Sequence, residues 1–281
     1  MEKLIKTVSD LQKEIKIRDY LKRLGFSTSL IAIVKFGGVS INGTTVHMRA
    51  TVKNGDIVEV IFPDEDSEGI KPIEIPLQII YEDEYVLAVD KPINMPIHPS
   101  RGNSLPTLAN AVRAYIGAPF VFRSITRLDR DTSGIVLIAK DRLSAAKLSE
   151  AMKSGKIKKT YLARVAGAPT PKSGTVNAPI EREADGEMKR IVRDDGKPSI
   201  TTYTTLSVDE AGNALLSVSP ITGRTHQIRV HMAHIGHPLV GDFLYGERSE
   251  SGTYMLHCSR LSFPHPHSNE EITIECTTPE S

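Results

Sequence analysis

The stretch RSITRLDRDTSGIVLIAK, residues 123–140, joins a polar loop to a continuous apolar run near the middle of the chain. The run, Ile135–Ala139, is typical of a strand that is buried on both faces. Asp129 lies on the loop just before it, and Gly134 allows a backbone conformation that residues with a Cβ resist. The stretch therefore predicts a buried central strand with an acidic loop at its start.

Two interpretations fit the polar residues around Asp129. Three of them are expected to hold the loop by bonding its own backbone amides: Asp131, Thr132 and Ser133. Arg127 and Arg130 place positive charge beside the carboxylate, as an active site would require. By residue pattern alone, a capped turn with surface ion pairs explains the loop better than an active site does.

Strand-like segments dominate the chain from about residue 77 onwards. Five of them stand out: residues 77–92, 134–140, 159–167, 199–208 and 214–223. Helical patterns interrupt them at three places: Thr107–Ile116, Leu143–Lys153 and Thr225–His234. Because helices and strands do not alternate strictly, the pattern predicts an α+β fold around a mostly antiparallel, mixed sheet.

The first 63 residues follow a different pattern. Helical segments around residues 17–26 and 29–38 are followed by a small sheet, with a hairpin turn at Asn42-Gly43. The next segment, DEDSEGIKPIEIP, is acidic and contains Gly and Pro, which is typical of a linker. We predict three parts: a small α/β module of residues 1–63, an acidic linker of residues 64–76 and a larger domain of residues 77–281.

Composition limits the class of protein. The 281 residues are 40% apolar and 25% charged, which is the balance of a soluble globular protein. Apolar runs fall far short of the roughly 20 residues that cross a bilayer, and the N-terminus lacks the pattern of a secretory signal. We therefore expect a cytoplasmic protein whose two cysteines, Cys258 and Cys276, are free thiols.

Positive charge is concentrated in two blocks, although the formal net charge is only +1. Residues 1–63 contain ten Lys or Arg against six acids, and residues 120–165 contain eleven against four. Between them, residues 64–90 contain one Lys and nine acids. Clustered positive charge is typical of a phosphate-binding face. The other interpretation is that these side chains lie singly on solvated helices.

RLDRDTSG, residues 127–134, closely resembles the signature of the RluA family of RNA pseudouridine synthases, usually written HRLDxxTSG. The resemblance implies that Asp129 is the catalytic residue. It also implies that no cofactor is needed, and the chain contains neither a P-loop nor a GxGxxG fingerprint. Thr126 stands where the family usually has His, which puts in question how the loop is held.

Five further segments extend the resemblance, in the family's order, over nearly all of residues 77–275: residues 81–100, 158–167, 196–203, 221–246 and 256–266. They imply a central active-site cleft in which Tyr161 packs against a flipped uracil and Arg229 pairs with Asp129. The remaining candidate substrate-binding residues are Arg127, Arg130, Arg224, His226 and Gln227.

Four histidines crowd one segment and invite a metal-site interpretation: His226, His231, His234 and His237. Arg224 and Arg229 lie among them, and cations oppose metal binding, so we predict no metal. A His-dependent metal hydrolase is the alternative from another class of enzyme.

The N-terminal module has a resemblance of its own, to a small RNA-binding module of a small-subunit ribosomal protein that also precedes many RluA-type enzymes. Turn glycines and apolar positions carry most of the match. Four polar residues would bind RNA: Arg18, Lys22, Lys35 and Asn42. A small packing domain without RNA contact is the other interpretation.

Together these features predict an RNA pseudouridine synthase that flips its target uridine out of the RNA. Ribosomal RNA, preferably of the large subunit, is the favoured partner, and transfer RNA is the other candidate. We expect a monomer that uses no metal, cofactor or membrane. The competing hypothesis is a non-catalytic RNA-binding or ribosome assembly factor on a degenerate synthase scaffold.

Overall fold

The computed structural model describes residues 2–65, 69–99, 106–117, 119–247 and 253–277. Parts of the sequence predictions lie outside these ranges, namely Met1 of the module, residues 66–68 of the linker, Ser100 of the segment 81–100 and, in the larger domain, residues 100–105, 118, 248–252 and 278–281. The N-terminal part contains two helices, α1 (Ile17–Arg23) and α2 (Thr28–Val34), and six strands: β1 (Lys3–Thr7), β2 (Ile15–Lys16), β3 (Val39–Ile41), β4 (Thr44–Thr45), β5 (Thr51–Val52) and β6 (Ile57–Ile61).

The main N-terminal sheet has the strand order β1-β6-β3-β4, and each neighbouring pair is antiparallel. Its hairpin turns at Asn42 and Gly43, whose φ angles of 54° and 80° suit a tight two-residue turn, so the predicted hairpin is confirmed. The sequence pattern places the helices before every strand, and this order is wrong. β1 precedes them, and its five residues are too few to show a clear period.

The two N-terminal helices lie where the sequence predicts them. Ile17 and Leu21 are fully buried on α1. Ser27 caps α2, since its hydroxyl accepts a hydrogen bond from the amide of Leu30 at 3.1 Å. The hydrophobic cluster around these helices also includes Leu143 from the larger part of the chain, so the two parts pack against each other.

The larger part contains three helices and twelve strands in the described residues. The helices are α3 (Leu108–Ile116), α4 (Arg142–Lys153) and α5 (Gln227–His234). The strands are β7 (Gln78–Glu82), β8 (Val86–Lys91), β9 (Arg123–Ser124), β10 (Ser133–Ala139), β11 (Lys158–Val165), β12 (Ser173–Asn177), β13 (Ile180–Arg182), β14 (Arg190–Val192), β15 (Ile200–Val208), β16 (Ala214–Pro220), β17 (Leu256–Pro264) and β18 (Glu271–Glu275).

One sheet organises this part, with the strand path β12-β15-β16-β11-β17-β10-β8-β7 in the described residues. Strands β18 and β9 pair with β17 and β10 beside that path. Neighbours are antiparallel except β10 and β17, which run parallel where Ser133 faces His257. A mixed, mostly antiparallel sheet confirms the predicted α+β fold. All seven residues of β10 are buried, as its apolar run predicts.

The three predicted helices of the larger part are present, with boundaries shifted by one or two residues. Side-chain caps explain where two of them begin. Thr107 and Asn110 form a capping box before α3, and Asp141 accepts the amide of Ser144 at 2.8 Å before α4. None of the helices in the described ranges has both the length and the apolar composition needed to cross a lipid bilayer.

The described residues of the linker form no regular secondary structure, in agreement with their composition. They nevertheless contact the larger part. Glu65 pairs with Arg142 at 2.6 Å and with Arg123 at 3.0 Å, and the side chain of Asn110 donates to the carbonyl of Lys71 at 2.7 Å. The acidic composition therefore serves in part to bind arginines of the neighbouring sheet and helix.

Candidate active site

Asp129 lies on the loop between β9 and β10, and contacts at both ends fix that loop. Thr126 is buried, and its hydroxyl accepts the amide of Leu137 at 2.9 Å. Gly134 has a φ of 110°, and a Cβ there would lie 2.4 Å from the carbonyl oxygen of Cys258. The predicted need for glycine is therefore confirmed, and Thr126 itself supplies a contact that holds the loop.

The side chains of Asp131, Thr132 and Ser133 bond to other side chains, and not to the amides of their own loop as predicted. The Thr132 hydroxyl lies 3.3 Å from the Tyr254 hydroxyl, and the Ser133 hydroxyl lies 2.9 Å from Nδ1 of His257. Arg130 does not direct its charge at Asp129. It donates from Nε and Nη2 to the carboxylate of Asp131, at 2.8 and 3.1 Å, because that neighbour accepts both bonds of the guanidinium fork.

A buried lysine fastens the loop to the turn after β8. Lys91 Nζ donates to the carbonyl oxygens of Pro92, Met95 and Arg130 at 2.8, 2.9 and 3.1 Å. Burial lowers the pKa of Lys91 to about 8, against the opposing charge of the nearby aspartates. Three bonds from one ammonium thus join two segments that are about 40 residues apart in the sequence.

Asp129 opens onto a cleft of about 540 Å³. The described residues that line it come from the Asp129 loop, the end of α4 and the turn after it, β11, the segment 220–229 and β17. This volume lies within the range of clefts that hold small molecules, so there is room for a flipped base. The carboxylate of Asp129 is about one-third exposed, at 35%, and therefore accessible from the cleft.

His226 faces Asp129 across this cleft, with 3.8 Å between its Nε2 and the Oδ2 of the carboxylate. His226 has a left-handed backbone conformation, with a φ of 57°, immediately before α5. That conformation costs a non-glycine residue about 1 kcal/mol or more, and such strain concentrates at functional sites. The sequence does not predict this conformation, although histidine is among the residues enriched at positive φ.

The hydrogen bonds around His226 favour one tautomer of its ring. The Tyr245 hydroxyl accepts the amide of Arg190 at 2.9 Å and lies 2.8 Å from His226 Nδ1. We assign its own proton to Nδ1, which leaves the proton of a neutral ring on Nε2, directed at Asp129. Burial lowers the pKa of His226, against the opposing charge of Asp129, and so favours the neutral ring.

The predicted pairing of Arg229 with Asp129 is wrong. The Arg229 guanidinium donates from Nε and Nη2 to the two oxygens of Asp242, both at 2.7 Å, and this pair is buried. The ring of Tyr254 lies 4.4 Å from the guanidinium carbon. Sequence reasoning misses Asp242 because no local pattern links it to a residue thirteen positions earlier.

Two side chains of β11 line the cleft opposite the Asp129 loop. Tyr161 is almost completely buried, and burial, together with the nearby Cys258, raises the pKa of its hydroxyl well above its usual value. Lys159 Nζ would lie 3.9 Å from a Cβ added at Gly223, and burial lowers the pKa of its ammonium. Sequence reasoning selects Tyr161 but misses Lys159, although residues two apart on a strand usually share a face.

The other residues predicted to bind substrate differ in how accessible their side chains are to a substrate. Arg127 and Arg224 line the cleft and are exposed. Gln227 is buried, and its amide is occupied: Oε1 accepts from Thr222 at 2.8 Å, and Nε2 donates to the carbonyl of Ile200 at 2.9 Å. Gln227 therefore orders the segment before α5 and has little capacity left for a substrate.

The residues expected to bind RNA in the N-terminal part also fall into two groups. Arg18, Lys22 and Lys35 are exposed. Asn42 bonds within its own module, since its Nδ2 donates to Asp56 at 2.9 Å and its Oδ1 accepts the amide of Ile57 at 2.8 Å. The side chain of Asn42 therefore stabilises the hairpin, whereas the three basic side chains are accessible to a partner.

Three of the four histidines of the segment 226–237 are directed at separate partners: His226, His231 and His237. The ring nitrogens of His231 lie 2.8 Å from the Thr201 hydroxyl and 2.9 Å from the carbonyl of Ala178. His237 lies 2.9 Å from another backbone carbonyl. Within the described ranges, the side chains that could together bind a metal ion lie outside this segment. They are Asp90, His257 and Cys276, and their donor atoms lie within 4.8 Å of one another.

Known proteins resemble this chain in sequence and in fold. The family described as RNA pseudouridylate synthase matches residues 85–234. An uncharacterised RNA pseudouridine synthase of Bacillus subtilis is 41% identical over 272 residues, covering 94% of this chain and 95% of the relative. The ribosomal large subunit pseudouridine synthase D of Xanthomonas campestris is 36% identical over 265 residues, covering 88% of this chain and 80% of the relative.

A solved structure extends the likeness to three dimensions. Human RNA pseudouridylate synthase domain containing 1 superimposes with a TM-score of 0.61 at 29% identity, covering 73% of this chain and 84% of the human chain. The matched residues 85–234 are more than half of the chain and include the Asp129 loop, β11 and α5. From its sequence and its fold alike, this chain belongs to the RNA pseudouridylate synthase family.

Proposed function

We propose that this pseudouridine synthase modifies ribosomal RNA and that Asp129 is its catalytic carboxylate. The observation that carries the assignment is the place of Asp129 in the cleft. Among the described lining residues it supplies the negative charge, and Arg127, Lys159 and Arg224 supply positive charge around it. A base-sized cleft with one carboxylate and several cations suits a uridine together with its phosphates.

The reaction exchanges one bond of the target nucleotide for another. The bond between N1 of uracil and the ribose breaks, the base rotates, and a bond from C5 to the same ribose carbon forms. C5 loses a proton and N1 gains one, so atoms and electrons balance without a cofactor. Asp129 reacts with the base or the sugar, or removes a sugar proton. Each of these roles needs a carboxylate beside the reacting nucleotide.

His226 and Tyr161 would act around that carboxylate. In the neutral tautomer that we assign to His226, the Nε2 proton would point at Asp129 Oδ2, and a hydrogen bond there would hold the carboxylate in one orientation. Tyr161 would pack its ring against the flipped uracil. Arg229 would act indirectly, because its pair with Asp242 and its contact with Tyr254 order the wall behind Asp129.

The target RNA is inferred from relatives and from charge. The Xanthomonas relative is a ribosomal large subunit pseudouridine synthase, which favours large-subunit RNA as the substrate here. The exposed basic residues Arg18, Lys22 and Lys35 favour a partner rich in phosphate. Single-stranded loops would be the preferred sites, since a base flips out of them at the least cost.

The first test is the Asp129→Asn variant, which keeps the shape of the side chain and removes its charge. We expect pseudouridine formation to fall to background while RNA binding stays within about twofold of wild type. The matched control is Asp209→Asn, at an exposed pair with Arg164 outside the cleft lining. Appreciable turnover by Asp129→Asn would overturn the assignment of the catalytic residue.

The second test identifies the substrate. Pseudouridines are mapped by carbodiimide labelling and reverse-transcription stops in cells that lack the protein, carry it, or carry Asp129→Asn. Sites in large-subunit RNA should vanish in the deletion and return only with the intact protein. Sites that change in transfer RNA instead would replace the proposed substrate. If no site changes and transcripts are not modified in vitro either, the result would support the competing hypothesis of a non-catalytic RNA-binding protein.

A further inference from the structure

The turn between α4 and β11, taken here with its flanking residues as residues 153–159, separates two clefts and carries lysines that face both of them. Lys153 and Lys159 line the cleft that contains Asp129. Lys156, between them in the sequence, lines a second cleft of about 440 Å³ between the N-terminal part and the large sheet. The turn is therefore the ridge between the two clefts, and an extended molecule that leaves one could cross it to reach the other.

The second cleft is basic. In addition to Lys156, its described walls carry Lys6 and Arg23 from the N-terminal part and Lys147 from α4, against one acid, Glu150. Burial lowers the pKa of Lys147, and the nearby charge of Lys6 lowers it further, against the opposing charge of Asp141. Positive side chains are thus held close to one another, and a polyanion in the cleft would relieve their repulsion.

The competing explanation for such lysines is local. A cation in the last turn of a helix stabilises the negative end of the helix dipole, which accounts for Lys153 at the end of α4. It does not account for Lys156, which follows Gly155 beyond the helix. It does account for Arg23, which lies in the last turn of α1, but not for Lys6, which approaches the same cleft from β1.

We propose that this ridge, defined as Lys153, Lys156 and Lys159, guides the RNA backbone from the cleft of Asp129 into the second cleft. The single strand next to the target uridine would lie across the ridge, with phosphates bound by Lys156, Arg23 and Lys6. The inference rests on the proposed function, since it takes RNA as the substrate. Contacts of this kind read no base, but they position the strand and offset the cost of flipping.

The test uses the double variant Lys156→Gln/Arg23→Gln in the full chain. Its matched control is Lys71→Gln/Lys172→Gln, at two exposed lysines that line neither cleft. Uridine-containing single-stranded RNAs of about 6 and about 16 nucleotides are labelled, and binding is measured by fluorescence anisotropy over a range of salt concentrations. Thermal melting checks that each variant is folded.

Two lost phosphate contacts should reduce the slope of log affinity against log salt by about 1.4 for the long RNA. At about 0.1 M salt, that change corresponds to roughly 25-fold weaker binding. The short RNA, which fills only the cleft of Asp129, should bind as it does to wild type, and the control should bind both RNAs normally. Crosslinking of long RNA carrying 4-thiouridine should label the segment 147–159 in wild type.

If the slope of log affinity against log salt for the long RNA is unchanged in the double variant, the proposal that the ridge guides RNA is wrong. An equal loss for the short and long RNAs would overturn it too, since the two residues would then act at the first cleft. Neither outcome affects the assignment of Asp129, which depends on whether the intact protein forms pseudouridine. If the intact protein forms none, the proposed function fails whatever the salt slopes are.

Discussion

Asp129 and His226 approach each other from two loops that are nearly 100 residues apart in the sequence. Their separation of 3.8 Å is longer than a hydrogen bond, and catalytic hydrogen bonds are often long until the substrate binds. The ring of His226 is held on its other side by Tyr245. At the scale of single residues, the protonation state of His226 therefore decides whether the carboxylate of Asp129 faces a neutral or a positively charged ring.

The Tyr245→Phe variant tests this arrangement. The hydroxyl, as donor to Nδ1, favours the neutral ring, so we expect its removal to raise the pKa of His226. Pseudouridine formation should then begin to fall at a higher pH during acidification than in wild type. The measurements are an NMR titration of the imidazole and a pH–rate profile. The control is Tyr115→Phe, which changes an exposed tyrosine. If the pKa of His226 is the same in both variants as in wild type, the Tyr245 hydroxyl does not donate to Nδ1.

Gly134 allows a second prediction at this scale. A Cβ at this position would overlap the backbone of Cys258, at a φ that disfavours any side chain. We expect Gly134→Ala to lower the free energy of unfolding by about 3 kcal/mol or more. The control is Gly43→Ala, which also has a positive φ but has no atom within 4 Å of the added Cβ, so it should cost about 1 kcal/mol. Equal losses in urea unfolding would contradict the role of the close approach.

At the scale of elements, the active-site loop depends on strands that it does not belong to. Lys91 ends β8 and bonds to the carbonyl of Arg130, and the neighbouring pair β10–β17 places Gly134 against Cys258. The loop is therefore positioned by the order of three adjacent strands. A change in one of these strands should move Asp129 without touching it.

The Lys91→Met variant tests that dependence. It removes three hydrogen bonds and leaves buried carbonyl oxygens without their donor, so we expect a loss of about 2–4 kcal/mol in the free energy of unfolding. The matched control is Lys140→Met, which breaks a partly exposed pair with Glu82 and one hydrogen bond to the carbonyl of Asp83, and should cost about 1 kcal/mol. Urea unfolding compares the two variants. A loss in Lys91→Met no larger than in the control would show that the loop does not depend on this ammonium.

At the scale of the whole molecule, α4 joins two hydrophobic clusters. Leu143 belongs to the cluster of the N-terminal part, and Leu148, five residues later, belongs to the cluster of the large sheet. The salt bridges of Arg142 and Arg123 to Glu65 lie at the same junction. We propose that residues 1–63 and 77–281 are two folding units coupled through this helix.

Truncation of the two leucines should separate those units. Each change, Leu143→Ala or Leu148→Ala, should cost about 3 kcal/mol, because both side chains are buried. Hydrogen exchange by mass spectrometry should show that Leu143→Ala loosens the amides of residues 15–62, whereas Leu148→Ala loosens the large sheet. The two variants serve as controls for each other. The same loss of protection in both regions from either change would mean that the chain unfolds as one unit.

The sequence by itself determined the features that depend on local chemistry. The apolar run of β10, the Asn42-Gly43 hairpin and the helices of the larger part all follow from periodicity and turn residues over a few positions. Asp129 is a different case. The residue pattern alone favoured a capped turn, and it was the similarity to a family signature that selected this aspartate.

Only the tertiary structure decided which side chains meet at the site. Arg229 pairs with Asp242 and not with Asp129, and His226 reaches Asp129 through a left-handed backbone conformation. Lys91 and Lys159 join the site because β8 and β11 lie close to β10 in the sheet. These contacts join residues that are far apart in the chain. They are fixed by the order of the strands and by the pairing of buried charges, and both exist only in the folded protein. A single sequence shows the local conformational preferences of its residues. It does not show which distant residues will be in contact after folding.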